Sequence, residues 1–250
     1  MLSQYPLLES LDVIKALGFD GAEICVERRD WSWVDFDDAL IAAVRERTAA
    51  LELVPYSFSL HQDYVYDDRL LEETKRAIGV TRALGADVFV FSGTKRRTGD
   101  QAEWERMIDR TRELVEVAAR YNVVLAQEFE PGFIVGSTAD LLRLFEEIPS
   151  PYLAANADLG HLFLCDPDPL QSIAQLGPKI VHCHVENMRV GVHDHLLPQE
   201  GDMDLRAFFD ALSAIGFEGG LALDIYKYDY QRVAPRAVAH LRRLMAGTAH

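Results

Sequence analysis

No stretch of this sequence approaches the roughly 18 consecutive apolar residues that a membrane-spanning helix needs. Its first residues, MLSQYPLLESLDVIKALG, lack a basic n-region, a long apolar h-region and a cleavage site, so no secretory leader is expected. Cysteine is scarce. Cys25, Cys165 and Cys183 form an odd, scattered trio without CxxC spacing, which argues against a disulfide scaffold and fits a reducing, cytoplasmic setting. Basic residues are outnumbered, 25 against 40 acidic ones, and the net charge of −15 opposes any polyanion with a repulsive average field. Neither nucleic acid nor a membrane is therefore an expected partner. No GxGxxG or GxxxxGK follows the early strand candidates, and no linker, low-complexity tract or composition shift divides the chain, so residues 1–250 are expected to form a single domain.

What is present is alternation. Seven short apolar or β-branched runs read as strands: GAEICV (21–26), VPYSFSL (54–60), DVFVFSG (87–93), VVLAQEF (123–129), LAANADL (153–159), IVHCHVE (180–186) and GLALDIY (220–226). Between them lie segments with apolar residues at helical spacing, such as LLEETKRAIGVTRALG and WERMIDRTRELVEVAARY. The joints ALGFDGAEI, ALGADVFVF and AIGFEGGLALDI each end a helix on an aliphatic residue, place Gly where a left-handed cap is wanted, and start a strand. Such αβ repetition predicts a parallel sheet covered by helices, either a closed barrel or an open doubly wound sheet. The lack of nucleotide-binding glycine motifs and the polar residues at strand ends favour a TIM (β/α)8-type barrel. One strand is missing from the count, because the first recognised element is a helix near residue 7. Either the first strand lies upstream of Met1 or the barrel is open there.

Alternate residues of a strand share a face, so His182 and His184 point one way and Cys183 the other. Inward parity also puts Glu128, Asp158 and Asp224 at the ends of three apolar runs, where barrels of this kind place their chemistry. Carboxylates gathered in a partly dry pocket repel one another unless a cation sits among them. Oxygen ligands with one imidazole suit Mn²⁺, Mg²⁺ or Co²⁺, and Zn²⁺ accepts the set as well. Each acid also has a plainer role as a helix N-cap or surface residue, but capping does not require all of them to share inward parity. His161 follows Asp158 by three residues and could orient a ligand, bind a second metal or touch substrate. His182 is either a contact or a hydrogen-bonded residue beneath the site. Trp31 and Trp33 fit the wall of a sugar pocket or a loop packed on the rim; Lys95, Arg96 and Arg97 read first as a solvated basic loop, second as a phosphate grip.

The succession GFDGAEI, LAQEFEPG, ADLGHLFL, HCHVENMRVGVHDHLLPQEGDMDL and GGLALDIY resembles the xylose isomerase-like TIM barrel superfamily of sugar and sugar-phosphate isomerases and epimerases, which also contains endonuclease IV-type AP endonucleases. The resemblance runs from roughly residue 7 to residue 230. It implies a ligand set of Glu128, Asp158, His184 and Asp224 around one divalent ion, Mn²⁺ foremost. It also implies proton exchange by Glu128 and Asp224 through an enediolate, and substrate contacts from His161 and Arg189. His61, Glu130 and His195 complete the expected substrate-binding set, and Glu23 and Glu130 are inward by parity and available to assist. The implied substrate is a small sugar or polyol, and relatives often form homo-oligomers.

Three departures stand out. Asp224 replaces the usual Glu and withdraws its carboxylate by roughly 1.5 Å, the length of one C–C bond, where a shift of about 1 Å can cost 100-fold in rate. QEGDMD replaces the usual GxGxxD, with Gln199 for the first Gly, and the first strand, which usually supplies pocket residues, is missing. The expected function is thus a metal-dependent sugar or sugar-phosphate isomerase or epimerase. The alternatives are a related dehydratase, a non-catalytic metabolite-binding barrel, and an AP endonuclease. For the nuclease, His61, His161 and the HDH pair match zinc-binding positions, but Ser92 stands where a fourth-strand histidine is expected.

Overall fold

The computed structural model describes residues 1–26 and 36–247. Trp31 and Trp33 lie outside the described residues. Seven parallel strands form one sheet in chain order: β1 (Gly21–Cys25), β2 (Val54–Ser59), β3 (Val88–Phe91), β4 (Val124–Glu128), β5 (Leu153–Asp158), β6 (Ile180–Val185) and, after a hairpin, β9 (Gly220–Leu223). Each expected strand is found within a residue or three of its expected bounds. The hairpin β7 (Asn187–Arg189) and β8 (Val192–Leu196) is antiparallel and was not foreseen, because the exposed residues 189–193 around Gly191 read locally as loop.

The helices are α1 (Leu7–Ala16), α2 (Asp38–Ala50), α3 (Asp68–Leu84), α4 (Gln101–Tyr121), α5 (Thr138–Glu147), α6 (Leu159–Cys165), α7 (Pro169–Leu176), α8 (Leu205–Ala214) and α9 (Tyr230–Ala246). The helix–glycine–strand grammar holds in backbone terms. Gly18, Gly85 and Gly216 have φ of 87°, 91° and 72°, a region that costs a side chain energy and Gly almost none. Helix N-termini after α1 are capped from the side chain: Asp67 accepts from Arg69 N and Leu70 N before α3, and Asp100 accepts from Glu103 N before α4.

Strand faces divide the apolar residues. Phe89, Leu125, Leu153 and Cys183 are fully buried, as are Leu11, Ile78, Leu114 and Leu144 on the covering helices. The result is a nearly closed TIM-type barrel. Among the described residues no ladder joins β9 to β1, so the barrel has an open seam where an eighth strand would pair. A cavity of about 860 Å³ is lined by Glu128 and His184 of the strand ends and by Leu241, Arg242 and Met245 of α9. No helix among the described residues is long and apolar enough to cross a membrane.

Candidate metal centre and active site

Register brings the strand-end groups together. Asp158 pairs with His184 across β5 and β6, His184 pairs with Ala222 across β6 and β9, and Glu128 pairs with Asn156 across β4 and β5. Glu128, Asp158 and His184 are all buried and offer ligand atoms within 4.8 Å of one another. His184 Nδ1 stands 3.1 Å from Glu128 Oε2 and 3.9 Å from Asp158 Oδ2. Yet neither His184 Nδ1 nor Asp158 Oδ2 makes a well-directed hydrogen bond with a described residue, although both are buried and Nδ1 has Glu128 Oε2 at ion-pair distance. Such orphans are rare because each costs roughly 1–3 kcal/mol. A divalent cation among the three side chains would satisfy both atoms with a ligand set of the expected chemistry.

Asp158 takes the N-cap role and keeps one oxygen facing the other two side chains. Its Oδ1 caps α6, accepting from His161 N at 2.7 Å, and its Oδ2 is left for the centre. Behind it, the Glu186 carboxylate accepts from Gly160 N at 2.7 Å. Burial, together with Asp158 beside it, pushes the Glu186 carboxyl well above its usual range. Burial alone would raise Glu128 too, but the adjacent His184 ring holds it well below the usual carboxylate range. Burial lowers His184, and the flanking Glu128 and Glu23 outweigh it, raising the imidazole well above its ordinary value.

Below this level lies a polar layer. Asn156 Nδ2 donates to Glu128 Oε2 at 2.6 Å, and Asn156 Oδ1 is 2.9 Å from His182 Nδ1. His182 Nε2 is 3.1 Å from Ser57 Oγ, and burial pushes this imidazole down to about 4. His182 is thus hydrogen-bonded within this layer and also lines the cavity. Asn156 and Ser57 were not singled out from sequence, although Asn156 sits two residues before Asp158 on the same face.

The remaining expected site residues divide. Asp224 lies one residue past β9 at the mouth but does not join the three ligand atoms. Its Oδ2 is 3.2 Å from His195 Nδ1, which keeps the carboxyl low against the effect of burial. The β7–β8 hairpin swings His193 and His195 over the mouth, with His193 Nε2 3.0 Å from His161 Nε2 and 3.3 Å from His195 Nε2. The hairpin is tied down by Asn187, which donates to Pro198 O and accepts from Met203 N, each at 2.9 Å. Gly201 of QEGDMD packs where any Cβ would strike the Asn187 amide, so the one glycine kept from GxGxxD is the one this tie requires.

His161 Nδ1 is 2.9 Å from Phe129 O, which aims Nε2 into the mouth. On the far side, His61 Nδ1 lies 2.7 Å from Ser92 Oγ, which donates to Glu130 at 2.6 Å. Burial and the nearby Glu128 raise the Glu130 carboxyl. Arg189 is not brought into the cavity; it is exposed on β7. Arg97 is paired with Asp63 at 2.6 Å and stacks over Tyr66, and Arg96 lies 3.7 Å from Asp140.

The chain is thus a parallel barrel with a buried, metal-capable carboxylate–imidazole set at its carboxyl-terminal mouth. Residues 11–244 match the xylose isomerase-like TIM barrel family, and the chain belongs to it. Among curated proteins it is similar to L-ribulose-5-phosphate 3-epimerase UlaE of Shigella flexneri serotype 5b, 28% identical over 236 residues, covering 88% of this chain and 82% of the relative. The same enzyme of Salmonella typhimurium is 27% identical, with the same coverages. Among solved structures, a D-tagatose 3-epimerase-like protein superposes with a TM-score of 0.83 at 19% identity, covering 98% of this chain and 96% of that one. IolI, solved with a bound zinc atom, superposes at 0.81 and 18% identity, covering 98% and 93%. These structural likenesses carry the fold; the curated relatives bear on the isomerase or epimerase class expected from sequence.

Proposed function

We propose that this chain is a divalent-metal-dependent isomerase or epimerase of a small ketose or related polyol, built on one barrel domain and acting at the carbon beside a carbonyl. The observation that carries this is the pair of buried, unsatisfied ligand atoms, His184 Nδ1 and Asp158 Oδ2, facing the Glu128 carboxylate. The epimerase names of the curated relatives support the reaction class.

Glu128, Asp158 and His184 would hold the cation, with Mn²⁺ the expected ion, and Asp224 on the same rim would join on substrate binding. When bound, the ion supplies Lewis-acid polarisation of a carbonyl oxygen. The chain's own groups handle the protons. Glu128 is held ionised, and with Oε2 engaged by Asn156 its Oε1 is the oxygen left to accept the proton from carbon. Asp224, ionised beside His195, is the second proton carrier on the other side of the mouth. His161, steered by Phe129 O, presents Nε2 to a substrate hydroxyl. Glu130, held by the Ser92 hydroxyl at the cavity wall, is placed to contact a substrate oxygen.

The test is deuterium uptake from solvent by a panel of free and phosphorylated ketoses with Mn²⁺-loaded protein. Exchange at the carbon beside the carbonyl, lost in Glu128→Gln, is expected. Loss of water in place of epimerisation would redirect the assignment to a dehydratase. No metal binding and no exchange would leave a metabolite-binding barrel and overturn the proposal.

A further inference from the structure

Glu23 comes from β1, far in sequence from the ligand strands, and reaches across the barrel. Its Oε1 lies 3.2 Å and its Oε2 3.4 Å from His184 Nε2. Two hydroxyls from the neighbouring strand aim this carboxylate: Ser59 donates to Oε1 at 2.9 Å and Ser57 to Oε2 at 2.7 Å. The register explains the grip. β1 pairs with β2 through an irregularity between Ala22 and Glu23, so Glu23 lies opposite Ser57 and Cys25 opposite Ser59, which turns both serines toward one side chain.

The two nitrogens of His184 therefore face different partners, Nε2 toward a fixed carboxylate and Nδ1 toward Glu128 and Asp158 without a hydrogen bond. We propose that Glu23 is a positioning residue: it accepts the Nε2–H of His184, fixes the ring and its tautomer, and leaves the Nδ1 lone pair as the ligand atom. This rests on the metal centre proposed above. A carboxylate holding the far nitrogen of a metal-ligating histidine both orients the ring and increases its basicity. Glu23, His182 and His184 also lie close enough to hold an ion themselves. That set, however, is hydrogen-bonded to Ser57, Ser59 and Asn156, whereas the orphaned atoms belong to the Glu128 side. Glu23 thus acts through His184 and is not a third proton carrier.

The experiment titrates Mn²⁺ into metal-stripped wild type, Glu23→Gln and His184→Ala by calorimetry, and reads the His184 ring by long-range ¹H–¹⁵N spectra of the Zn²⁺-loaded, diamagnetic protein. Expected are hydrogen on Nε2 and metal on Nδ1 in the wild type, Mn²⁺ binding weakened about 10–100-fold in Glu23→Gln, and binding lost in His184→Ala. The amide that Glu23→Gln introduces can donate to Nε2, which favours the wrong tautomer. If Glu23→Gln does not fold, Ser57→Ala/Ser59→Ala keeps the carboxylate but frees its aim, with a smaller loss of affinity expected. Unchanged affinity in the folded variant, or metal on Nε2, overturns the role of Glu23 while the centre stands. Mn²⁺ bound equally well by His184→Ala would instead sink the centre itself.

Discussion

The carboxylate of Asp224 is turned onto His195, Oδ2 to Nδ1 at 3.2 Å, and the same ring nitrogen lies 3.1 Å from the Asp224 carbonyl oxygen. The shorter side chain thus spends its reach on a neighbour instead of on the ligand set. Asp224→Asn is expected to keep one Mn²⁺ per chain and to lose solvent deuterium exchange by about 100-fold or more, the usual worth of a general acid or base. Asp224→Glu, one methylene longer, should tighten Mn²⁺ binding. Loss of the ion in Asp224→Asn would make the residue an obligatory ligand.

Glu128→Gln, Asp158→Asn and His184→Ala should each abolish stoichiometric Mn²⁺ binding. Asp158→Asn is the most informative, because Asn still caps α6 and the apo melting temperature should stay near that of the wild type. In the wild type, Mn²⁺ at 100 times its Kd should add about 2.7 kcal/mol of stability, reversed by a chelator. Three variants with unchanged metal content would mean the wrong ligands.

Gly160 opens α6 directly against Glu186 and Met188, where any Cβ would overlap the Glu186 carboxylate and the Met188 side chain. Gly160→Ala should cost about 1–3 kcal/mol in chemical unfolding, as overpacking does. It should also weaken Mn²⁺ binding, because the same turn carries Asp158 and His161. A stable variant with wild-type affinity would show that α6 shifts freely and does not aim these ligands.

Glu103, buried in the first turn of α4, accepts from the backbone N–H of Arg97, Thr98 and Gly99 and from Tyr66 Oη. Burial raises its carboxyl, but these donors, Gly99 foremost, bring it below the ordinary value. A lowered folded-state pKa contributes stability above the unfolded value of about 4.3 and loses it as pH falls through the folded one. Glu103→Gln should therefore be destabilised by about 1–3 kcal/mol at pH 7, and the gap from wild type should narrow in acid. A gap that is constant with pH would refute the charge-based account.

That Glu128, Asp158 and His184 come together was legible because a strand repeats every two residues. Glu128, Asp158 and His184 share inward parity at strand ends, and that local rule suffices to aim them at one mouth. The three glycine joints were legible for a similarly local reason, since left-handed backbone selects Gly. Asp224 was placed on the right strand end, but the direction of its carboxylate depends on His195, which arrives on a hairpin folded over the rim.

What the residues determined alone is the alternation of strand and helix, the inward parity of the acids and the shortage of basic groups, because propensity, periodicity and charge act over a few neighbours. Tertiary structure decided which atoms meet. Glu23 reaches His184 across 161 positions of sequence, and beyond the register irregularities at Ala22/Glu23 and Ala155/Asn156 Glu23 lies opposite Ser57 and Asp158 opposite His184. Curvature and register are properties of the assembled sheet, and no segment carries them before its neighbours have paired.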